Sequence, residues 1–294
     1  LSGVDFEILA RAVVNATGVW AGKLVPSVRL RPSRGSHLVL DTAAAGLSGT
    51  ALTIPVPGRR GRFVFLLPQQ NGRTYLGLTD EPVAGEPPDV PEVPESDVDF
   101  LLDVASAWLD RDLTRASVLG RFAGLRPLVD ARGASADLSR RHAVLTSRTG
   151  VVTVVGGKLT TYRRMASDAV DAALASAGLP AAPCRTAGLP LVGAATRRAL
   201  STVDAPDRLV ALYGTEAGRV AAAGAVDPTL ALPVSPHTDV TAAEVVWAVR
   251  HEGALDADDV LDRRTRIGLV PAEAAAARPA VTDLVARALR GLSD

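Results

Sequence analysis

The sequence predicts an α/β layer that is interrupted by an antiparallel β-sheet and followed by a helical domain. Strand-to-helix patterns occur near the start of the chain and again after residue 150, period-two strand patterns lie between them, and Ala-rich helix patterns fill the rest. With 294 residues, 47% of them hydrophobic, the chain is long and apolar enough for separate buried cores. We therefore divide it into an α/β part (residues 1–27 and 148–180), an antiparallel sheet (28–147) and a C-terminal helical domain (181–294).

Strand patterns dominate the N-terminal half. Residues 5–27 predict a strand, a second strand at 12–16, and a helix after Thr17 and Gly18. Further strands, separated by Gly, Pro and Asn turns, are predicted at residues 36–40, 51–54, 62–67 and 73–78. Five prolines between residues 82 and 94 predict a stiff surface loop. Ser96 then caps a helix whose apolar face is expected to cover the sheet.

The C-terminal half changes from strands to helices. Residues 116–147 again predict strands, and residues 150–178 predict a strand, a turn and a helix that complete the α/β layer. After Pro190, helices joined by Pro and Gly are predicted at residues 203–213, 215–224, 241–251, 257–264 and 272–291. The antiparallel sheet is therefore expected to be an insertion into the α/β layer.

Composition excludes several functional classes. The formal net charge is zero and the pI is near 7.1, so nothing attracts the whole chain to nucleic acid, and an anion site has to be local. The single cysteine, Cys184, excludes an intramolecular disulfide and suits a reducing compartment. Asp256, Asp258 and Asp259 lack the Gly and Glu of a calcium loop, and the histidines lack metal-ligand spacing, so we predict no metal.

The turn after the β-branched run at residues 151–155 is the strongest local signal of a ligand site. The run stops at Gly156 and Gly157, and a helix pattern begins directly after Lys158. Paired glycines let the backbone approach a ligand, and the first amides of a helix carry partial positive charge to which Lys158 adds a full one. The alternative is an ordinary strand-to-helix turn in which Thr160 or Thr161 is the N-cap.

Several stretches, taken in order, resemble one family. They are Val-Val-Asn-Ala-Thr-Gly-Val-Trp at 13–20, Arg-Gly-Ser-His at 34–37, Gly-Leu-Thr-Asp at 77–80, Gly-Leu-Arg-Pro-Leu at 124–128, Gly-Gly-Lys-Leu-Thr-Thr-Tyr-Arg at 156–163, and Trp-Ala-Val-Arg-His-Glu-Gly-Ala at 247–254 with Asp-Arg-Arg-Thr-Arg at 262–266. Each stretch is a weak signal by itself, but the series is specific. It resembles the FAD-dependent glycerol-3-phosphate dehydrogenases, which are flavoproteins related to D-amino-acid oxidase.

The resemblance implies both a fold and a reaction. The fold is part of an FAD-binding Rossmann-like layer with an inserted antiparallel β-sheet substrate domain and a C-terminal helical domain. The reaction is the oxidation of sn-glycerol 3-phosphate to dihydroxyacetone phosphate, with FAD as cofactor and a quinone or another acceptor as electron partner. A cytoplasmic location is implied, and the resemblance leaves peripheral contact with the inner face of the cell membrane and homodimer formation open.

The resemblance also assigns residues to the substrate. Arg126 is assigned to catalysis and, with Arg140, to the substrate phosphate, for which the guanidinium fork is suited. For Arg126 the alternative is a structural ion pair with an acid such as Asp130. For Arg140 the alternative is a charge exposed to solvent, and the match to the family motif also allows Arg141 in this role. The matching family histidine makes His37 the candidate general base, although a His at the start of an apolar strand is often a packing residue.

The cofactor residues are expected in two turns. By resemblance, Gly156, Gly157, Lys158, Leu159 and Thr160 meet the flavin, and Asn15, Ala16, Thr17 and Gly18 form a turn near the dinucleotide. A strand that ends in an Asn or Gly turn is also common without any ligand. Thr79 and Asp80 match the family, but the sequence assigns them no role.

One family feature is absent from the sequence. No Gly-x-Gly-x-x-Gly turn, which binds the FAD pyrophosphate at a helix N-terminus, occurs in the chain. Leu1 is not an initiator methionine, so we expect the chain to be the later part of a longer protein. The sequence leaves two alternatives open: an FAD-dependent amine or 2-hydroxy-acid oxidase or dehydrogenase of the same superfamily, and a truncated fragment without catalytic activity.

Overall fold

The computed structural model describes residues 5–47, 49–69, 71–129 and 141–291. The strands, in chain order, are β1 (Val14–Asn15), β2 (Leu30–Asp41), β3 (Leu52–Pro55), β4 (Phe63–Pro68), β5 (Arg73–Gly77), β6 (Glu81–Pro82), β7 (Val118–Val129), β8 (Ala143–Thr146) and β9 (Val152–Val155). The α-helices are α1 (Ala21–Leu24), α2 (Glu95–Ser106), α3 (Tyr162–Ser176), α4 (Arg197–Leu200), α5 (Asp207–Tyr213), α6 (Ala217–Val226), α7 (Ala242–Glu252) and α8 (Pro271–Arg290).

The chain divides into two compact units. Unit 1 comprises Leu1–Ser36, Thr79–Glu92 and Ala123–Leu189, and unit 2 comprises His37–Leu78, Val93–Phe122 and Pro190–Asp294. The division falls inside the long strands β2 and β7, so each of these strands contributes to both units. The units do not coincide with the three predicted domains: residues 28–36, 79–92 and 123–147 of the predicted antiparallel block are grouped with the α/β elements, and residues 37–78 and 93–122 with the C-terminal helices.

Unit 1 contains a small mixed sheet in the order β1-β9-β8. β1 runs parallel to β9, with Val14 opposite Val152, and β8 runs antiparallel to β9. Helix α3 packs on β8 and β9, and its Ala169 and Ala173 are buried. A core of Ala21, Val25, Val28 and Val155 fixes the chain that follows β1. A parallel strand pair beside a helix is the arrangement expected for an α/β layer.

Unit 1 also contains the first half of β2 and the second half of β7. β2 pairs there with the two-residue strand β6, with Ser33 opposite Pro82 and Arg34 opposite Glu81. β7 pairs with β2 in the same sheet. This region brings the segments near residues 33, 80 and 126 together.

Unit 2 contains an antiparallel sheet in the order β3-β4-β5-β2. The register of β2 against β5 runs from His37 opposite Gly77 to Asp41 opposite Arg73. Alternating residues of β4, and of β5 as far as Leu76, are buried as the period-two pattern predicts, whereas β2 has pairs and runs of buried residues. Helix α2 contacts β4 and buries Leu101 and Ala105.

The C-terminal helices of unit 2 enclose a core of their own. Val245, Val260, Leu261, Ala277 and Val281 form its centre and are fully or almost fully buried. A segment of π-helix, Asp259–Arg264, precedes α8 where the sequence predicts an ordinary helix. The other helices that were predicted after residue 203 are present with shifted ends. Within the described ranges, no helix is both long enough and apolar enough to span a bilayer.

Two local predictions are wrong. The strand expected at the start of residues 5–27 is absent, and residues 5–10 have no regular structure. In the described sheet β1 is an edge strand that pairs only with β9, so residues 5–10 have no strand partner for their backbone hydrogen bonds there. Helix α2 begins at Glu95 with Pro94 as N-cap rather than at Ser96. Proline's fixed extended geometry directs the chain into the helix without a side-chain cap.

Candidate active site

Arg126, in the unit 1 half of β7, is held at both ends of its guanidinium. Its Nη1 donates to Asp80 Oδ1 at 3.2 Å and to Ser33 Oγ at 3.3 Å, and its Nη2 donates to the Thr79 carbonyl at 3.2 Å. The Ser33 hydroxyl in turn donates to Asp80 Oδ1, which orients the carboxylate. We call Ser33, Thr79, Asp80 and Arg126, together with Gly35, the arginine cradle.

Gly35 supplies the space for this guanidinium. A Cβ atom at residue 35 would overlap Arg126 Nη2 and lie 3.0 Å from its Cζ. The Ser36 amide donates to the Thr79 hydroxyl at 3.0 Å, which ties β2 to the segment that carries Asp80. The sequence stretches Arg-Gly-Ser-His, Gly-Leu-Thr-Asp and Gly-Leu-Arg-Pro-Leu therefore meet in this part of the molecule.

The cradle is partly open to solvent. The Arg126 side chain is 34% exposed and the Asp80 side chain is 25% exposed. An ion pair with this exposure contributes little to stability, about 0–1 kcal/mol. The structural ion pair considered as the alternative is present, but Arg126 forms it with Asp80. Asp130, the acid named from the sequence, lies outside the described residues. A partly exposed guanidinium of fixed orientation is suited to bind an anion.

His37 belongs to unit 2, where aromatic packing fixes its ring. The imidazole stacks on Phe122 with ring centroids 4.8 Å apart and planes 2° apart, and Tyr75 meets Phe122 edge-on at 5.4 Å. On the neighbouring strand Gly77 lies opposite His37, and a Cβ atom there would overlap the imidazole. The ring is half-buried, so it has both the packing expected of a structural histidine and access to solvent.

The turn between β9 and α3 requires both of its glycines. Gly156 and Gly157 each have a φ of 74°, which disfavours other residues. A Cβ atom at Gly156 would lie 2.6 Å from the Arg141 carbonyl oxygen, and one at Gly157 would lie 2.5 Å from Met165 Sδ. The glycines are therefore required by packing inside the unit as well as by backbone conformation.

Lys158, Leu159 and Thr160 follow these glycines on the surface. The Leu159 side chain is 86% exposed. Thr161 closes the turn: it accepts a hydrogen bond from the Lys158 amide at 3.2 Å and donates one to the Lys158 carbonyl at 2.9 Å. Thr161 occupies the N-cap position of α3, but its side chain makes no capping hydrogen bond to that helix and bonds back to Lys158 instead.

This turn fits the edge of a flavin ring. The first amides of a helix have no acceptor within it, and α3 is 15 residues long, so its N-terminus carries partial positive charge. The Lys158 ammonium adds a donor, and the exposed Leu159 offers an apolar surface. Such donors suit ring carbonyls that become electron-rich on reduction.

Asn15 serves the structure of its turn. It is 1% exposed, its amide donates to the Ala21 carbonyl at 3.0 Å and to Thr153 Oγ1 at 3.3 Å, and its Oδ1 accepts from the Thr17 hydroxyl at 2.7 Å. Ala16 and Thr17 are exposed beside it. Gly18, with a φ of 60°, has open space where a side chain would be. In this turn, Ala16 to Gly18 are accessible to a ligand and Asn15 supports them.

Arg140 lies outside the described residues, so its predicted role stays a prediction. The chain resumes at Arg141, and His142 Nε2 lies 2.8 Å from Asp168 Oδ2 on α3. Arg164 Nε binds the other oxygen of Asp168 at 2.9 Å. The hydrogen bond with His142, followed by the charge of Arg164, holds the pKa of Asp168 below its ordinary value. The sequence did not indicate this anchor, because its partners are 26 residues apart.

Sequence reasoning missed the residues that hold the candidates in place. Asp80 lies in a stretch that matches the family but was given no role, and no role was predicted for Ser33, Phe122 or Gly77. The only available signal was the order of the stretches, because pairing between separate strands follows from register and not from local spacing.

Comparison with known proteins adds family models and relatives. A model described as FAD dependent oxidoreductase matches residues 2–163, and one described as the C-terminal domain of alpha-glycerophosphate oxidase matches residues 184–291. Glycerol-3-phosphate dehydrogenase 1 of Mycobacterium bovis is 52% identical over 276 residues, covering 91% of this chain and 53% of the relative. The mitochondrial glycerol-3-phosphate dehydrogenase of Homo sapiens is 31% identical over 318 residues, covering 98% of this chain and 42% of the relative.

A solved structure is similar over nearly the whole chain. The glycerol-3-phosphate dehydrogenase from Bacillus halodurans, complexed with FAD, superposes with a TM-score of 0.75 at 27% sequence identity. The match covers 97% of this chain and 62% of that one. The chain spans about half the length of the curated relatives it matches.

Proposed function

The chain belongs to the family of FAD dependent oxidoreductases, and from this premise we propose that it acts in the FAD-dependent oxidation of sn-glycerol 3-phosphate to dihydroxyacetone phosphate. One observation carries the proposal: the FAD dependent oxidoreductase model is followed in the same chain by the C-terminal domain of alpha-glycerophosphate oxidase. Relatives named glycerol-3-phosphate dehydrogenase, at 52% identity and at a TM-score of 0.75, support it.

The cofactor of the proposed reaction is FAD. When bound, it supplies the acceptor for the hydride that leaves C2 of the substrate. Gly156, Gly157, Lys158, Leu159 and Thr160 would hold the flavin through backbone amides and the Lys158 ammonium. Ala16, Thr17 and Gly18 would lie along the dinucleotide, with Asn15 supporting their turn. The exposure of both turns supports this assignment.

Arg126 and Arg140 are the proposed phosphate-binding residues. A guanidinium is charged at all physiological pH values and offers paired donors to phosphate oxygens. The orientation of Arg126 in the cradle supports its role, because a guanidinium that is already fixed loses less freedom on binding. Holding the phosphate also places C2 of the substrate, so Arg126 contributes to catalysis through alignment.

His37 is the proposed general base. A neutral imidazole nitrogen can accept the proton of the C2 hydroxyl oxygen. Its stack on Phe122 supports this role, since a fixed ring keeps one edge directed at the same place. Gly77 leaves room for the ring on the neighbouring strand. The electron acceptor in the proposal is a quinone or another carrier, with peripheral membrane contact and a homodimer as further possibilities for the whole protein.

The test is a near-ultraviolet and visible absorbance spectrum of the purified chain. FAD is added first, then glycerol 3-phosphate under anaerobic conditions. We expect flavin bands that bleach with glycerol 3-phosphate, because two electrons reduce the oxidised ring. Glycerol, which lacks the phosphate, is the matched control and should leave the bands unchanged.

Other outcomes support the alternatives. Bleaching by an amine or a 2-hydroxy acid, but not by glycerol 3-phosphate, would assign the chain to another oxidase of the superfamily. A chain that stays colourless after addition of FAD and dialysis would be a fragment that lacks the cofactor site. Either result would contradict the proposed function.

A further inference from the structure

We propose that Asp80 is the positioning residue of the phosphate site: its carboxylate fixes the orientation of the Arg126 guanidinium and, through its own charge, weakens the attraction of that site for anions. The proposal rests on the proposed function, in which Arg126 binds the substrate phosphate. It assigns a role to the Gly-Leu-Thr-Asp stretch, which the sequence left without one.

The Arg126 guanidinium has partners at both of its terminal nitrogens. Asp80 and Ser33 bind Nη1, and the Thr79 carbonyl binds Nη2. A planar group that is bound at both terminal nitrogens cannot rotate without breaking at least one hydrogen bond. The Ser33 hydroxyl also donates to Asp80, so the carboxylate is itself oriented. Asp80 is the only carboxylate among these three partners and therefore makes the strongest of the contacts.

The Arg126 guanidinium packs directly against Gly35. The guanidinium occupies the space of a side chain at residue 35, with Nη1 3.1 Å and Cζ 3.0 Å from where a Cβ atom would be. The φ of Gly35 is outside the left-handed region, so alanine can adopt this backbone. Gly35→Ala therefore displaces the guanidinium while every charge in the cradle is retained.

Asp80 affects the orientation of the Arg126 guanidinium and the affinity of the site for phosphate in different ways. A carboxylate next to the bound phosphate repels it, so removal of the Asp80 charge should tighten phosphate binding by about tenfold in this partly exposed site. The same removal frees the guanidinium, and misalignment of a substrate slows turnover by about tenfold to a hundredfold. Asp80→Asn should therefore change affinity and rate in opposite directions. A purely structural residue would weaken both.

The experiment uses the full chain and its Asp80→Asn, Gly35→Ala and Ser33→Ala variants. Asp41→Asn is the matched control, because Asp41 also pairs with an arginine, Arg73, but in unit 2. The first readout is the dissociation constant of inorganic phosphate, measured by titration calorimetry. The second is the nitrogen-15 NMR signal of the Arg126 side chain, assigned with Arg126→Lys. The third is the rate of flavin reduction by saturating glycerol 3-phosphate.

We expect Asp80→Asn to bind phosphate about tenfold more tightly, to broaden the Arg126 signals and to reduce flavin about tenfold more slowly or worse. Gly35→Ala should weaken phosphate binding and shift the same signals, and Asp41→Asn should change none of the three. Should Asp80→Asn fail to fold, Ser33→Ala replaces it: the Arg126 signals should broaden while phosphate affinity stays within about twofold.

The proposal is overturned if the parent chain binds no phosphate, if Asp80→Asn binds phosphate equally or less tightly, or if the Arg126 signals are unchanged in Asp80→Asn. The phosphate and NMR readouts need no flavin. A parent chain that binds phosphate but never reduces FAD would refute the proposed function alone, and the first two readouts would still decide the role of Asp80.

Discussion

Arg126 and Arg73 are both strand arginines bound to carboxylates, one in each compact unit, but their surroundings differ. Arg73 on β5 donates to Asp41 Oδ2 at 2.8 Å and also binds Glu273, and its side chain is 19% exposed. Arg126 binds one carboxylate at 3.2 Å, a hydroxyl and a carbonyl, and is 34% exposed. The Arg73 side chain is the more buried of the two, and two carboxylates bind it.

Arg73 has the surroundings of a structural arginine, and Arg126 has those of a candidate ligand-binding arginine. Asp41 lies on β2 directly opposite Arg73, and Glu273 lies in the first turn of α8, so Arg73 joins two strands to a helix within unit 2. The two carboxylates overcompensate the charge of the Arg73 guanidinium itself. Arg126 pairs with Asp80 and is more exposed, so an anion can approach it. The degree of burial and the pair of carboxylates on Arg73 therefore distinguish the two roles.

The largest effect is expected when the two arginines are replaced in parallel and phosphate binding is measured. Arg126→Gln should weaken the binding of inorganic phosphate by about a hundredfold, because it removes a charged double donor. Arg73→Gln should leave the affinity of the folded protein within about twofold. Titration calorimetry gives both values, and equal losses in the two variants would abolish the distinction between the clusters.

Replacement of Arg73 should lower the free energy of unfolding more than replacement of Arg126 does. Arg73→Met leaves Asp41 and Glu273 close together without their cation, and we expect it to lower the free energy of unfolding by about 2–3 kcal/mol, less than for a fully buried pair because Arg73 is partly exposed. Arg126→Gln should lower it by about 1 kcal/mol or less. Urea denaturation measures both. A larger loss for Arg126→Gln would show that the cradle is mainly structural.

The smallest effect is an acid dependence of the Arg73 cluster. The Ala44 amide, followed by the charge of Arg73, holds the pKa of Asp41 below its ordinary value. A lowered carboxyl pKa contributes stability above the unfolded pKa, about 3.9, and the contribution is lost as the pH falls through the folded pKa. Between about pH 5 and pH 3 the free energy of unfolding of the parent chain should fall more steeply than that of Asp41→Asn. Parallel curves would contradict this.

Much of the fold was predictable because the signals are local. The alternation of buried residues in β4 and β5 follows from period-two patterns. Thr241 and Glu244 form the capping box that starts α7, where a helix was predicted from residue 241. The family resemblance, which depended on the order of short stretches, is confirmed by the models that match residues 2–163 and 184–291.

The partners of the candidate residues were not predictable. Asp80 and Arg126 are 46 residues apart, and no spacing rule links them. For the alternative of a structural ion pair, the sequence pointed to a nearby acid, Asp130, because only residues close along the chain could be considered. The stack of His37 on Phe122 likewise depends on which residues of separate strands share a face of the sheet.

The sequence by itself determined the strand and helix periods, the glycine turn at residues 156 and 157, and the family, because each depends on residue types at short or fixed spacing. Only the tertiary structure decided that Asp80 and Ser33 hold Arg126 over Gly35, and that Arg73 is enclosed by two carboxylates. Strand register and helix packing bring these side chains within a few ångströms of one another, and both arise from interactions between distant segments. The difference between a structural and a ligand-binding arginine is therefore a property of the folded chain.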